Sequence, residues 1–360
     1  MIPGSMMCAI FCADTTVNGK TVKSTRMILC IIYYISTFAM NFNFKKTFNS
    51  NLPKPKLIQY NTPVTKDMAI LFVYFNPCKY RRIIQNVLTV KHQMDCAQIP
   101  YFIGEIKHDS DSNYLFCKSD NVFQYSSDSY MFYKENLIRV VEPQIPSCFT
   151  KICIMDFDIL FDNPDWYSVV SEKLNSVKIV QPFKTANYLN IDYSIFESRT
   201  NCVDKKTFDP INYKVEQSGF VWAFDREWFS SYFFDDMTIT GMGDTVFANN
   251  ITRRSYNDAG SFYVNFSSYI KPSTVNVPYG SCDLIVHHLN HGPLVNRQYN
   301  NINQIFNSTF AQNGLKKIDD VLCRRDDGIL QYKPEYLPLF NHIMLTYFKI
   351  RNDDFAYFAT

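Results

Sequence analysis

Ile152-Cys-Ile-Met-Asp156-Phe-Asp158-Ile-Leu-Phe161 is an apolar run interrupted by two carboxylates spaced i, i+2. In an extended strand such positions point the same way, so Asp156 and Asp158 are expected to project together from a strand end, with Phe157 turned into the core. Two hard oxygen ligands at that spacing suit Mg²⁺ or Mn²⁺, ions that hold phosphates as further ligands. Working outward, Ala69–Phe75 reads as a buried strand broken by Asn76-Pro77. Tyr80–His92 has helical periodicity through Ile83, Ile84, Val87, Leu88 and Lys91. Pro100–Ile106 reads as a second strand ending near Glu105, and Ser129–Val141 as a helix with Ser129 as N-cap. Asp165–Leu174 gives a further helix and Val177–Gln181 a further strand. The alternation predicts an α/β fold: a doubly wound, mostly parallel sheet with helices on both faces. Ligands bind at the carboxyl ends of such strands, where Asn76, Pro77, Glu105 and the Asp pair fall.

The chain has 360 residues, 46% hydrophobic and 16% aromatic, ample for a large core. A net charge of +2 without a dense Lys/Arg stripe argues against nucleic acid as a partner. Eleven Cys without a C-x-x-C pair argue against a zinc module and a disulfide framework, and imply that most are core thiols. Abundant Phe, Tyr, Asn, Ile and Lys is the usage of an AT-rich genome, viral or protist.

Residues 1–66 read as an extension. Lys20, Lys23 and Arg26 precede an apolar run, Met27–Met40, whose helix would span about 21 Å. That length suits a signal peptide and is marginal for a signal anchor; the alternatives are a mis-assigned start or a peripheral helix. With an anchor the bulk of the chain would be lumenal and membrane-associated, and otherwise cytoplasmic. Asn51–Lys56 reads as a linker.

In the second half, Gln217–Phe229 places Gly219 before an apolar strand containing Trp222, followed by Asp225, Glu227 and a helix start. Gly241-Met-Gly243-Asp244 lets backbone approach a ligand and puts an acid at a helix start, either as a cap or as a general base over an acceptor hydroxyl. Asp283–Gly292 gathers His287, His288 and His291 at the end of a strand, a metal-ligand signal, and Arg297 and Tyr299 follow. A planar Arg is a natural diphosphate clamp.

Tyr74–Cys78, Lys134-Glu135, Met155–Phe161 with Asn163–Trp166, Gly219–Glu227, Gly243-Asp244, His288-x-x-His291-Gly292 and Arg297-x-Tyr299 occur in an order that resembles GT-A-type glycosyltransferases of bacteria and large viruses. The second half looks like that of inverting galactosyltransferase-type enzymes. The resemblance covers about Met68 to Asp354. It implies a Rossmann-like, GT-A glycosyltransferase domain over 67–360: a nucleotide-sugar half (67–185), an acceptor and catalytic half (186–310) and a helical C-terminal segment (311–360). It further implies a UDP-sugar donor, a glycan acceptor and Mn²⁺ or Mg²⁺. Asp156, Asp158, His288 and His291 match metal positions, and Asp244 the base. Asn76, Pro77, Glu105, Lys134, Phe157 and Arg297 match nucleotide-sugar contacts. Gly219, Trp222, Gly243, Asp225 and Glu227 match acceptor or sugar contacts. Arg139, Phe132-Tyr133 and Ser218-Gly219 depart from the pattern and bear on sugar or acceptor preference. The competing readings are a nucleotide-sugar hydrolase or nucleotidyltransferase on the same sheet, and an inactive glycan-binding protein.

Overall fold

The computed structural model describes residues 58–111, 113–204, 216–232, 234–252 and 277–355, with a two-residue strand pair at Thr16–Val17 and Lys20–Thr21. The apolar run Met27–Met40 and the linker Asn51–Lys56 lie outside the described residues. Among the described residues no helix is long and apolar enough to cross a membrane.

The first half contributes β1 (Met68–Tyr74), α1 (Arg81–Ala97), β2 (Tyr101–His108), β3 (Val122–Ser127) and α2 (Lys134–Val141). There follow β4 (Lys151–Met155), β5 (Ile159–Phe161), α3 (Trp166–Lys173) and β6 (Ile179–Gln181). Next come β7 (Thr185–Leu189), β8 (Ile195–Asn201), β9 (Glu216–Gln217), β10 (Val221–Asp225), α4 (Arg226–Tyr232) and α5 (Gly243–Thr252). The chain continues with β11 (Tyr279–Ser281), β12 (Ile285–His288), α6 (Tyr299–Gln312), β13 (Leu322–Arg324), β14 (Leu330–Tyr332) and α7 (Leu337–Arg351).

The central seven-stranded sheet has the order β11-β6-β10-β4-β1-β2-β3. It is mostly parallel; β10 alone runs antiparallel to both its neighbours. The sheet is doubly wound because β1 is apolar on both faces. Met68, Ile70 and Phe72 pack with Val87, Val90 and Met94 of α1 and with Trp166 and Val170 of α3. Ala69 and Leu71 face the other way, against Ile138 and Val141 of α2 and Phe247 of α5. Each fully buried Ile, Leu or Phe is worth about 1.5–3 kcal/mol of transfer free energy. A second, five-stranded sheet, β9-β8-β7-β12-β5, stands beside the first.

Several expectations are corrected. Asp156–Asp158 is a turn and not a strand continuation: β4 ends at Met155, and β5 resumes at Ile159 in the second sheet. The helix expected from Ser129 starts at Lys134. The Ser129 hydroxyl accepts the Tyr332 N–H at 3.0 Å and ties β14 to the preceding strand instead of capping a helix. That strand, β3, is not legible in the sequence, because Gln124 and two serines interrupt its apolar pattern. The halves 67–185 and 186–310 interleave, since β10 inserts between β4 and β6. Segment 311–360 includes the β13–β14 hairpin as well as helix. The cysteines described are free, but Cys96, Cys117 and Cys148 are exposed while Cys153, Cys202 and Cys282 are core.

Candidate active site

Phe157 anchors the turn between the two carboxylates. It is buried, stacked on Phe72 at 4.2 Å and on Phe116 at 6.0 Å, so its expected turn into the core is observed and its side chain is packing. Fixed by that ring, Asp156 and Asp158 serve different partners. Asp156 Oδ1 lies 2.7 Å from Lys134 Nζ. Asp158 Oδ2 lies 2.8 Å from His291 Nε2 and 3.7 Å from His288 Nε2.

Ligand atoms of Asp158, His288 and His291 lie within 4.8 Å of one another. They converge because β12 pairs with β5 immediately after the turn, His288 opposite Ile159, and the Leu289 N–H donates to the Asp158 carbonyl. His287 falls on the opposite face by the strand's two-residue alternation and takes no part. Burial would raise the Asp158 carboxyl, but His288, His291 and Arg297 hold it well below the usual range. Burial pushes the His288 imidazole well down, leaving it neutral. His291 is raised: burial and Arg297 depress it, but its bonds to Asp158 and Asp353 prevail. Arg297 Nη2 is 2.8 Å from His291 Nε2 and 3.4 Å from His288 Nε2. His291 Nε2 thus faces a donor and an acceptor at once and can satisfy only one of them in either protonation state. Asp158 Oδ1 is buried without a hydrogen-bond partner, and so is Arg297 Nε. Two imidazoles, one of them neutral, that converge on one oxygen of a buried carboxylate whose other oxygen has no partner are a donor set that fits a divalent ion.

Beside it lies a second group of charges. Lys134, the first residue of α2, is held by Asp156 and, at 2.8 Å, by Asp244 Oδ2 at the start of α5. Burial would lower its ammonium, but Asp156 and Asp244 raise it well above the ordinary value. Burial, offset by Lys134 and reinforced by Asp244 and Asp158, pushes Asp156 up to about 6. Glu135 lies buried under the same helix start, and burial followed by Asp244 raises it to about 8. The two glycines read as sugar contacts make room for these acids. A Cβ on Gly219 would stand 2.8 Å from Asp244 Oδ2, and one on Gly243 would stand 2.0 Å from Glu135 Oε1.

At the ends of β1 and β2 is a cleft of about 310 Å³ lined by Tyr74, Asn76, Pro77, Glu105, His108 and Tyr130 among others. His108 stacks on Tyr130 at 4.1 Å. Asn76 and Glu105 chiefly shape this cleft. Asn76 bonds the Tyr80 carbonyl and N–H, each at 2.9 Å. The Glu105 carboxylate, only 1% exposed, accepts from the Leu115 and Phe116 N–H groups and from Gln124.

No family model matches the sequence, and no curated protein matches it. Solved structures superpose loosely. The catalytic domain of Drosophila β1,4-galactosyltransferase 7 with xylobiose is 15% identical, with TM-score 0.31, over 52% of this chain and 62% of that one. This chain therefore spans less than two thirds of that structure. Mannosyl-3-phosphoglycerate synthase from Rubrobacter xylanophilus is 14% identical, with TM-score 0.37, over 74% of this chain and 84% of that one. Glucosyl-3-phosphoglycerate synthase from Mycobacterium tuberculosis with Mg²⁺ and UDP is 10% identical, with TM-score 0.34, over 75% and 88%.

Trp222, Asp225 and Glu227 are not brought to the site. Because β10 is antiparallel to β4, Val221 pairs with Met155 while Asp225 pairs with Lys151 at the far end of the sheet. Trp222 is core, packed on Phe247 at 4.9 Å. Asp225 binds Lys178 at 2.7 Å and caps α4 through the Trp228 N–H, and Glu227 is exposed. What reaches the site from this strand is its beginning. Phe220, with a φ of +84°, stacks on His288 at 4.8 Å, and its carbonyl accepts the Asp156 N–H. A bulky residue in that region is strained by about 1–3 kcal/mol and is kept only where its surroundings demand it. Asp353, against His291, lies far along the chain, and no local pattern marks it. Glu135 adjoins Lys134 and is legible only as half of that pair.

Proposed function

We propose that this protein is a metal-dependent glycosyltransferase that moves a sugar from a nucleotide-sugar, a UDP-sugar in the first instance, to a hydroxyl of a glycan or other acceptor, with inversion. The observation that carries the reading is the orphaned Asp158 Oδ1 beside two imidazoles, adjoining a buried Lys tied to two further carboxylates. Asp158, His288 and His291 would hold the ion, and the mixed oxygen and imidazole set favours Mn²⁺ over Mg²⁺, which keeps to oxygen. When bound, such an ion offsets the charge that grows on a leaving diphosphate. Asp156 would adjoin the ion rather than complete its shell, because its carboxylate is committed to Lys134.

Arg297 and Lys134 are the cations at hand for the diphosphate. The cleft between Tyr74, Pro77, His108 and Tyr130 would take the nucleoside, with Asn76 and Glu105 bracing its walls. Asp244 would accept the acceptor proton, and Gly219 and Gly243 give the carboxylates beside it their space.

The test is a nucleotide-sugar panel with Mn²⁺, Mg²⁺ or chelator, following nucleotide release with and without candidate acceptors. Metal-dependent UDP release that rises with an acceptor is expected. Release indifferent to every acceptor would favour a hydrolase, and failure to turn over or bind any nucleotide-sugar would leave the glycan-binding reading.

A further inference from the structure

We infer that Asp353, from the segment after α7, is a positioning residue for the metal site: its carboxylate receives the Nδ1 hydrogen of His291 and fixes the ring, so that Nε2 can give its lone pair to an ion held together with Asp158 and His288. This rests on the metal reading above. Asp353 Oδ1 lies 3.2 Å from His291 Nδ1, and its other oxygen lies 3.3 Å from Arg351 Nε. His291 stands between two carboxylates, Asp158 at Nε2 and Asp353 at Nδ1; with an ion taking the Nε2 lone pair, the one ring hydrogen must reside on Nδ1, where Asp353 is placed to accept it. A carboxylate behind a ligating imidazole orients the ring and makes it a better donor.

The contact is built into the backbone. Helix α7 ends at Arg351 and is capped by Asn352, whose φ of +47° turns the chain so that Asp353 meets the loop following β12. Gly292, next to His291, has a φ of +70°, and a Cβ there would come within 2.9 Å of Asp353 Cα and 3.0 Å of the Asn352 oxygen. Only glycine allows that approach. The same helix end grips the loop twice more, where the Tyr347 hydroxyl donates to the Arg297 carbonyl and Asn296 donates to the Arg351 carbonyl at 3.3 Å. Asp353 is 4% exposed, so no water competes freely for its oxygens.

The experiment measures Mn²⁺ affinity of the full chain by electron paramagnetic resonance, without donor or acceptor, with a thermal melt of each variant. Asp353→Ala should weaken Mn²⁺ binding by about 10- to 100-fold, the usual effect of removing such a partner. Asp354→Ala is the control. It removes the same charge one residue away from a group that accepts the Arg82 N–H, and should leave the affinity unchanged. Asp353→Asn keeps the shape and an acceptor but not the charge, and should lose several-fold. A purely structural role is rescued by Asn, so wild-type affinity in that variant overturns the inference, and does so even where the Ala variant fails to fold. Wild-type affinity in Asp353→Ala overturns it equally, provided His291→Ala abolishes binding. If the wild-type protein binds no Mn²⁺, the metal reading itself falls, and this assignment with it.

Discussion

Glu135 and Gly243 touch so closely that no side chain fits between them: a Cβ on Gly243 would sit 2.0 Å from the Glu135 carboxylate. The first turn of α5 is therefore seated on a buried acid. Gly243→Ala must displace that acid or the helix, and is expected to destabilise the protein by about 1–3 kcal/mol, as overpacking does. Urea unfolding gives the figure. Glu135→Ala in the same chain should recover part of the loss. Additive single and double variants would mean that the two residues do not press on one another.

The same acid makes stability depend on pH. Glu135 titrates at about 8 when folded, against an ordinary 4.5, and Asp156 at about 6 against 3.8. In both cases the folded state keeps a proton that the unfolded chain has released, so stability is full below the lower value and declines as pH rises through the folded one. His291 acts in the same direction, because its raised imidazole favours the folded state only while protonated, and His288 acts in the opposite one. In chelator-containing buffer the Tm should fall between about pH 5 and 8, and Glu135→Gln, which cannot ionise, should flatten that fall and raise the Tm at pH 8. Parallel wild-type and Gln profiles would show that Glu135 does not titrate in this window.

The two Asp of the central turn should differ in effect. Asp158 shares the donor cluster, whereas Asp156 is engaged by Lys134. Asp158→Ala is expected to weaken Mn²⁺ binding by more than about 100-fold, beyond the effect of an outer-shell change, while Asp156→Ala weakens it less. Calorimetric titration with Mn²⁺, then with UDP in its presence, separates them. Equal losses would return Asp156 to the ion's shell.

Which parts of this arrangement could be read from the chain follows from what local patterns carry. Continuous apolar strands and a helical stripe mark β1, α1, β2 and α3, because burial on both faces of a parallel sheet leaves no polar alternation. Strand direction leaves no such mark. The run Val221–Asp225 looks the same whichever way it enters the sheet, and its antiparallel entry sends Trp222, Asp225 and Glu227 away from the site while bringing Gly219 and Phe220 to it. The Asp-x-Asp spacing predicts a shared projection along a strand, but a turn braced by Phe157 divides the two carboxylates between different partners. Asp353 contacts His291 only through tertiary packing of the helix end, so nothing near it in sequence announces the contact.

Asp244 is the residue on which transfer, as distinct from binding, should turn. It begins α5 and is bound by Lys134, next to the backbone of Gly219. If it takes the acceptor proton, Asp244→Asn should keep donor and metal affinity yet lose transfer by roughly 10²–10⁴-fold, the usual worth of a positioned base. Hydrolysis of the donor should suffer less, because water needs no oriented acceptor. The competing role, a cap on the first turn of α5, predicts the reverse, since Asn caps nearly as well as Asp and turnover would survive. The Asn variant also removes a charge from Lys134, which Asp156 still holds, so the fold should persist and the melt should shift little. Steady-state transfer assays with a thermal melt decide between the two roles. Near-wild-type turnover in the Asn variant would remove Asp244 as the base and leave Glu135, the other carboxylate beneath the same helix start, as the acid to test.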